Sequence, residues 1–430
     1  MTQGSSGLGR RDVLAGTAAL AGTLAAPAMA QGTELTLWSG YPEMEPFYRR
    51  VAERMGGRVT LRVQAIPLRE HERRLALSLP AGNAADVLEM ASGIAYRYME
   101  AELLARAPAP VAAFVRDPAR FDPLFARSAS YEGNLHGVPN FRGQAELFYN
   151  VAMFEAAGLT RPPATMAEFD SYAERLTRRD AAGRPTVTGW SLRLSGGSLG
   201  IAEKFWINLH QFGGAVLRQP QPGKWVTGFA NEAGRRTLAQ YLDAVHVKRT
   251  CPVESPADAE AFQRGQTAMF IRESWVIGDT AKKAPDLRYA TAPLPAGTMV
   301  IPVFYYTPAR GPRTEAAWAY AMAANEPENM AWLLDNVGWL PNRRDVDYAP
   351  VLARTPQLAP FVELAPNHAL FEQPTTGPVE EILTRLSARL VRAFGDASLA
   401  GNAAGIDAAL REASRETDTI LSREGLLGRP

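Results

Sequence analysis

The segment that decides the fold runs from residue 137 to residue 176 and reads GVPNFRGQAELFYNVAMFEAAGLTRPPATMAEFDSYAERL. Residues 146–149 are aromatic and apolar and follow a turn-like segment, so they predict a β-strand. Asn150 is a favourable N-cap for a short helix over residues 151–157, and Gly158 supplies the left-handed residue that ends it. The segment therefore begins as a strand followed directly by a helix.

A second helix is predicted later in the same segment. The pair Pro162-Pro163 cannot continue a helix, so the chain must restart after it. Thr165 and Glu168 have the spacing of a capping box, which favours a helix beginning there. Apolar side chains then recur with the period of one buried helical face, at Phe169, Tyr172, Ala173 and Leu176.

Strands and helices alternate in the part of the chain that precedes this segment. The predicted strands are residues 35–38, 59–65 and 86–90, and the predicted helices are residues 44–51, 71–79 and 94–104. A βαβαβ order favours a parallel sheet with helices on both faces. Ligands of such sheets bind outside the carboxyl ends of the strands, which places residues 39–43 and 91–93 at a predicted cleft.

Length and composition restrict the class of protein. A chain of 430 residues predicts two domains or one large one, and 46% hydrophobic with 21% charged residues is typical of a soluble globular protein. The net charge is +1 and the arginine pairs are scattered, so a nucleic-acid partner is not expected. The single cysteine, Cys251, cannot form an internal disulfide and is interpreted as a small buried hydrophobe. Five histidines without ligand-like spacing argue against a metal centre.

The first 30 residues have the pattern of a secretory signal peptide. Arg10-Arg11 precede a mildly apolar run over residues 13–27, and residues 28–30 read A-M-A, a small-residue cleavage site. The paired arginines favour the twin-arginine type, and the alternative is a generic signal peptide whose arginines form its basic region. Either alternative predicts an exported mature chain that begins near Gln31 and is soluble in the periplasm.

Several stretches resemble the family 1 extracellular solute-binding proteins, the sugar-binding partners of ABC importers. The stretches are GVP…YN…MFEAAGL…PPATMAEF, LALSLPAGNAADVLEM, KFWINLHQFGG, AFQRGQTAMFIRESW and VGWLPNRRD. Together they span nearly all of the chain after residue 31. Residues 187–194 also predict a strand, residues 379–394 and 406–421 predict amphipathic helices, and residues 350–376 predict no element. The alternative is that the first stretch is an ordinary strand–helix–helix unit of another α/β protein.

The resemblance implies an α/β protein with the two-lobed, type II periplasmic binding protein fold. In this fold each lobe is a mixed sheet flanked by helices, and the ligand cleft lies between the lobes. By analogy, residues 31–138 and 294–335 form the first lobe, and residues 139–293 and 336–430 form the second. The crossings are expected near Pro139 and at residues 292–297.

The resemblance also implies a function. The mature protein would be a periplasmic monomer that captures a carbohydrate or related polar solute by closure of its lobes, without a cofactor. It would then deliver the solute to an ABC permease in the inner membrane. Relatives of this fold also carry polyamines, phosphorylated glycerol or iron, so a non-sugar solute is the alternative.

Sugars require aromatic rings to stack on and paired hydrogen-bonding groups. The aromatic side chains near the predicted cleft are Trp38, Tyr41, Trp206, Trp275 and Tyr305. The alternative for each of them is packing in the core. The resemblance singles out Trp275, because the tryptophan at that motif position lines the pocket in the family.

The predicted polar contacts are Glu43, Ser92, Arg142, Gln144 and Arg343. The resemblance places Arg142 and Gln144 in the crossing, where sugar binders often have a carboxylate instead of Gln144. Arg142, Arg272 and Arg343 would suit an acidic sugar or another anionic solute, because the arginine fork matches carboxylates. The alternative is that these arginines are solvated surface charges.

An enzymatic alternative depends on residues 196–200, GGSLG, which match the G-x-S-x-G nucleophile elbow. Asp335 and His368 follow Ser198 in the order that a hydrolase triad would need. The pentapeptide lies in a glycine-rich stretch where serine is common, so the sequence favours a binding protein over a serine hydrolase.

Overall fold

The computed structural model describes residues 32–195, 199–253, 258–365 and 368–429. The predicted signal peptide and Ser198 lie outside these ranges. Among the helices within them, none combines the length and the apolar character needed to cross a lipid bilayer.

Strands and helices alternate along the chain. The strands are β1 (Thr33–Ser39), β2 (Val59–Ala65), β3 (Val87–Ala91), β4 (Ser130–Tyr131), β5 (Asn134–Leu135), β6 (Val138–Asn150), β7 (Arg178–Arg179), β8 (Pro185–Val187), β9 (Leu217–Gln221), β10 (Lys224–Thr227), β11 (Met269–Glu273), β12 (Tyr289–Ala292), β13 (Gly297–Tyr306), β14 (Leu340–Pro341) and β15 (Ala369–Phe371). The helices are α1 (Glu45–Arg54), α2 (Leu68–Ala81), α3 (Ser92–Glu100), α4 (Ala109–Arg116), α5 (Pro123–Ser128), α6 (Val151–Ala156), α7 (Met166–Leu176), α8 (Gly200–Gln211), α9 (Glu232–Leu242), α10 (Asp258–Gln263), α11 (Trp275–Lys283), α12 (Thr314–Ala324), α13 (Pro327–Asn336), α14 (Ala349–Arg354), α15 (Ala359–Val362), α16 (Val379–Gly395) and α17 (Ala403–Arg423).

The central sheet is mixed and has the strand order β11-β6-β13-β3-β1-β2. Strand β1 pairs in parallel with β2 and β3, as the predicted βαβαβ order requires. Strand β13 is antiparallel to both β3 and β6. Strands β12 and β14 pair with β6, and β15 pairs with β13. The predicted α/β class is confirmed.

Two long strands, β6 and β13, join the two ends of this sheet. We call β1–β3 with helices α1–α5, α12 and α13 the first half of the molecule. The second half consists of the elements between β6 and β13 together with α16 and α17. Helix α1 packs on α12 and α13, whereas α16 packs on α8 and α17 packs on α9. The chain thus leaves the first half through β6 and returns through β13.

The hydrophobic side chains form two cores that follow this division closely. The first core contains the buried side chains of β1, β3, α1 and α12, and it also takes in Phe262 and Val276 from α10 and α11. The second core is built from α7, α8, α9, α16 and α17. Because side chains alternate along a strand, β6 serves both cores, with Phe148 in the first and Leu147 in the second. The buried side chains of residues 340–361 lie in the first core.

The local signals of the deciding segment are confirmed. The side chain of Asn150 caps α6 by accepting a hydrogen bond from the Met153 amide at 3.0 Å. Thr165 caps α7 by accepting from the Glu168 amide at 3.2 Å. These caps fix the strand–helix–helix order that the sequence predicts.

Three stretches differ from the sequence prediction. The predicted strand over residues 187–194 is reduced to the end of β8 and isolated bridges at Thr188 and Ser191, because the backbone there lies against the end of α7. A Cβ at Gly189 would fall 1.8 Å from the carbonyl oxygen of Ala173. Residues 350–376, for which no element was predicted, contain α14, α15 and β15, which are too short to show a period. The predicted return crossing at residues 292–297 is the turn before β13, and β13 itself makes the crossing.

Candidate functional site

A groove opens between the two halves of the molecule. Its volume is about 1500 Å³ including the part open to solvent. Its walls come from α2, β3 and α3 of the first half and from α8, the end of β11 and residues 372–380. Its floor is formed by β6 and β13, the strands that join the halves. The carboxyl end of β3 lies at the groove, as expected for an open α/β sheet.

Aromatic rings form much of the groove surface. The lining rings are Tyr41, Tyr96, Phe141, Trp275 and Trp339. The Tyr41 ring packs edge-on against Phe141 at 5.0 Å and against Trp339 at 5.7 Å between ring centroids. Trp275 begins α11, and the guanidinium of Arg272 lies 5.2 Å from its ring centroid. The rings offer apolar faces of the kind on which a flat, partly apolar solute can stack.

The charged lining residues are mostly acidic. They are Glu72, Glu89, Glu203, Glu273, Glu372 and Glu380, with Arg69 and Arg97. Arg69 pairs with Glu72 at 2.8 Å and lies 3.8 Å from Glu380. Glu273 pairs with the buried Nζ of Lys204 at 2.5 Å. Burial alone would raise the pKa of Glu273, but Lys204 and the neighbouring Arg272 lower it to about 2.

Glu89 lies at the base of the groove near the end of β3 and is fully buried. Its carboxylate accepts hydrogen bonds from Ser39 Oγ at 2.5 Å, from Asn140 Nδ2 at 2.7 Å and from the Tyr48 hydroxyl. Burial raises the pKa of Glu89 to about 7, and these hydrogen bonds offset only part of the rise. Glu89 is therefore a buried acid whose charge changes near neutral pH.

Two more carboxyls of the groove are held by uncharged partners. Glu372 accepts hydrogen bonds from Ser128 Oγ at 2.6 Å and from Ser92 Oγ at 3.5 Å. Burial raises the pKa of Glu372 to about 7. Glu203 accepts a hydrogen bond from Gln373, and burial raises its pKa as well.

Three of the ten predicted site residues line this groove. They are Tyr41, Ser92 and Trp275. Tyr41 and Ser92 come from the first half, and Trp275 comes from the second. These three side chains line one cavity, in which the rings of Tyr41 and Trp275 both pack against the first core.

The other predicted aromatic residues lie in the cores instead of the groove. The ring of Trp38 is buried beneath the guanidinium of Arg74, which lies 3.5 Å from the ring centroid. Trp206 packs against Phe371 in the second core. Tyr305 is buried in the first core. Their positions correct the prediction, because the alternating faces of a strand or helix direct these rings away from the cleft.

Arg142 and Gln144 also lie away from the groove. Strand β6 alternates its side chains, so Phe141 and Gly143 face the groove while Arg142 and Gln144 face the opposite side. The guanidinium of Arg142 donates to the carbonyl oxygens of Phe361, at 2.9 Å, and of Pro341, and to the Gln144 side chain at 2.9 Å. Arg142 thus fastens residues 341–361 to the crossing strand.

The remaining predicted contacts, Arg343 and Glu43, act elsewhere. Arg343 pairs with Asp345, with 2.7 Å between Nε and Oδ1, and lines a second cavity behind β6 together with Arg142. Glu43 is exposed outside the groove and accepts a hydrogen bond from Trp339 Nε1 at 3.0 Å. Glu43 therefore orients a groove ring without lining the groove.

Replacing Arg142 by methionine is expected to destabilise the protein by about 2 kcal/mol and to leave ligand affinity unchanged. The substitution leaves the Pro341 and Phe361 carbonyl oxygens without their donor. The free energy lost through these unsatisfied acceptors exceeds the free energy gained by no longer burying the guanidinium charge. Urea unfolding followed by tryptophan fluorescence measures the loss. A variant of wild-type stability with weakened ligand binding would contradict this structural role.

Several lining residues were not predicted from the sequence. Trp339 lies in the VGWLPNRRD stretch, two residues before the proline that ends β14, and the same motif could have indicated it instead of Arg343. Phe141 is the neighbour of Arg142 on the other face of β6, and only the register of the strand distinguishes them. For Glu203 and Glu372 the sequence contains no comparable signal.

The residues named for the hydrolase alternative have other partners. Asp335 pairs with Arg354 at 2.7 Å, and His368 lies 3.0 Å from the buried carboxylate of Glu146. Ser198 itself lies outside the described residues. Within the described ranges, no three His, Cys, Asp or Glu side chains are grouped so as to hold a metal ion.

Comparison with known proteins shows the same architecture in solved binding proteins. The sugar-binding protein MalE of Xanthomonas citri superposes with a TM-score of 0.77 at 20% identity, covering 91% of this chain and 98% of that one. An ABC substrate-binding protein of Listeria monocytogenes in complex with cycloalternan gives 0.73 at 18% identity, covering 92% and 100%. UgpB of Mycobacterium tuberculosis in complex with glycerophosphocholine gives 0.73 at 18% identity, covering 91% and 99%. The predicted two-lobed fold is confirmed.

Sequence comparison agrees with the fold. A protein of Brucella abortus (strain 2308) that is named as a binding protein is 22% identical over 436 residues, covering 96% of this chain and 98% of that protein. The family of bacterial extracellular solute-binding proteins has a sequence model that matches residues 50–360. Because this match spans well over half of the chain, the chain belongs to the family of bacterial extracellular solute-binding proteins.

Proposed function

We propose that this protein captures a carbohydrate or related polar solute in the groove and delivers it to the inner-membrane permease of an ABC importer. The observation that carries this proposal is the lining of the groove, in which Tyr41 and Trp339 face the same cavity as Trp275. Stacking rings combined with carboxylates suit a solute that has apolar C–H faces and hydroxyl groups. The structural neighbours from Xanthomonas citri and Listeria monocytogenes are described as binding a sugar and cycloalternan, which supports this solute class.

The mechanism follows from the way the halves are joined. Strands β6 and β13 connect them, so a small change in backbone angles there turns one half relative to the other. A solute favours the closed form only through the contacts that it makes with both halves. We propose that the solute is released chemically unchanged, and that the protein works as a monomer in the periplasm.

We further propose the division into lobes from the packing of the cores. Residues 31–138 and 294–335 would form the first lobe, as the family resemblance implies. Residues 340–361 belong with it, because their buried side chains lie in the first core. The second lobe then contains residues 139–293, apart from α10 and α11, whose buried side chains also lie in the first core, and the C-terminal helices α16 and α17.

A thermal-shift screen of residues 31–430 against neutral sugars, amino sugars, sugar acids, polyols, glycerol phosphate and spermidine tests the proposed function. A solute at one hundred times its dissociation constant stabilises the folded state by about 2.7 kcal/mol, which raises the melting temperature measurably. We expect a carbohydrate to give the largest shift. A screen in which phosphorylated glycerol or a polyamine alone stabilises the protein would contradict the carbohydrate class.

Replacing Trp275 by alanine is expected to weaken binding of that solute about tenfold or more, because one stacking face of the groove is lost. Isothermal titration calorimetry measures the change. The matched control is Trp206→Phe, which alters a tryptophan of the second core and should lower stability without changing affinity. Equal affinity of wild type and the Trp275 variant would show that Trp275 is not a stacking platform.

A further inference from the structure

After the ion pairs of the groove are assigned, a net negative charge remains. Arg69 forms ion pairs with Glu72 and Glu380, and Lys204 forms one with Glu273. Glu89, Glu203 and Glu372 have no ion-pair partner within 4 Å in the described part of the chain. The remaining basic lining residue, Arg97, is exposed to solvent, which screens its charge. The groove therefore presents three carboxyls without a direct ion pair, and the nearby cations Lys204, Arg193 and Arg127 offset only part of the pKa rise of Glu203 and Glu372.

A buried histidine adds an independent sign of a donor-rich solute. His71 lines the groove and is 1% exposed. Its Nε2 lies 2.8 Å from the carbonyl oxygen of Glu89, which can only accept, so Nε2 carries the hydrogen. Burial lowers the pKa of His71, which keeps the ring neutral and leaves a lone pair on Nδ1. That Nδ1 has no hydrogen-bond partner among the described residues.

The arginines that would suit an anion do not supply the missing charge. Arg142 and Arg343 line the second cavity, on the other side of β6. Arg272 lies behind Trp275 and faces Asp258 at 3.7 Å and Glu273 at 3.5 Å. An anionic solute would thus enter a groove of like charge, and a neutral solute would supply no counter-charge to carboxyls whose pKa burial already raises.

We propose that the solute is a hydroxylated molecule that carries an ammonium group, such as an amino sugar, and that its nitrogen lies among Glu89, Glu203 and Glu372. This inference rests on the proposed function. An ammonium group supplies a positive charge and three N–H donors, which match unbalanced carboxylates and an unpartnered acceptor nitrogen. The hydroxylated ring of this solute would still stack on the aromatic faces of Tyr41, Trp275 and Trp339.

The test compares pairs of sugars that differ only in charge. The probes are the β-1,4-linked glucosamine disaccharide and cellobiose, glucosamine and glucose, and galactosamine and galactose, with spermidine as a polycation that lacks hydroxyl groups. Isothermal titration calorimetry at pH 7.5 measures each affinity at low and at high sodium chloride concentration. We expect at least one amino member to bind at least about tenfold more tightly than its neutral counterpart, because hydrogen bonds to charged groups are the stronger ones. That preference should shrink as salt is added.

Matched variants identify the carboxyls that are responsible. Glu372→Gln and Glu203→Gln should each reduce the preference for the amino member, and the two changes affect different elements, so a folding defect in one does not remove the test. Glu363→Gln removes the same charge from an exposed side chain outside the groove and should keep the wild-type preference.

The outcomes separate this inference from the proposed function. Neutral members that bind as tightly as their amino counterparts would overturn the inference and leave carbohydrate capture standing. Binding of no amino member of the three pairs would also overturn it. Spermidine binding more tightly than every sugar would overturn the hydroxylated solute and the proposed carbohydrate function together.

Discussion

Replacing Lys204 by methionine is expected to lower the free energy of unfolding by about 3 kcal/mol. The Lys204 side chain is 8% exposed and its Nζ lies 2.5 Å from the Glu273 carboxylate, so its removal leaves a largely buried negative charge. Breaking such a pair from one side is costly because the remaining ion is desolvated and has lost its main partner. The pair also joins α8 to the end of β11, directly before Trp275. Urea denaturation at pH 7 measures the loss.

The control is the double variant Lys204→Met/Glu273→Gln. Because it removes both charges, we expect it to recover most of the stability that the single variant loses. A single variant as stable as the wild type would contradict the account, since it would mean that water already solvates Glu273. A double variant as unstable as the single one would assign the loss to packing instead of charge.

Replacing Glu89 by glutamine is expected to remove about 3 kcal/mol of the pH dependence of stability. The folded-state pKa of Glu89 is raised by burial to about 7, whereas the unfolded chain has an ordinary carboxyl. The folded state therefore binds the extra proton, and its stabilising effect is complete below about pH 4.5 and is lost as the pH rises through 7. The wild type should be more stable at pH 5 than at pH 8 by this contribution, and the variant should lack it.

Urea unfolding of both proteins at pH 5 and pH 8 measures this difference. Glu372, whose pKa burial also raises to about 7, contributes equally to wild type and variant, so it cancels in the comparison. Glu363→Gln, a change of an exposed carboxyl, should show the pH dependence of the wild type. Identical pH dependence in wild type and the Glu89 variant would mean that Glu89 is ionised in the folded protein at pH 5.

The fold could be predicted from short-range signals together with the family resemblance. The caps at Asn150 and Thr165, the alternation of strand and helix up to residue 104, and the helical periods of α16 and α17 are properties of adjacent residues. Those properties determine local structure before any long-range contact forms. The stretch over residues 350–376 lacked such signals, because its elements are held by contacts with β6 and β13 instead of by their own period.

The site was harder to predict because a strand has two faces. Phe141 and Arg142 are neighbours in sequence, yet one lies in the groove and the other fastens residues 341–361 behind it. A shift of one residue in the assumed register exchanges these roles. The face of a helix is ambiguous in a similar way. Trp206 and Glu203 both lie in α8, but Glu203 lines the groove and Trp206 packs in the second core. Trp275 lines the groove because it follows the end of β11, which lies at the groove.

The electrostatic character of the groove was also not predictable from composition. The sequence has nearly equal numbers of acidic and basic residues, and the arginines that suggested an anionic solute are engaged elsewhere. Only the three-dimensional arrangement shows that Glu89, Glu203 and Glu372 share a cavity. These carboxyls come from β3, from α8 and from the residue after β15, and they line one groove.

The central claim is that one solute is held between the two halves by contacts with both of them. A crystal structure of the mature chain with the best-stabilising sugar of the thermal-shift screen tests it most directly. The account predicts one solute molecule in the groove, stacked on Trp275 and within contact of Tyr41 or Trp339. A solute bound in the second cavity beside Arg142, or touching residues of one half only, would contradict it.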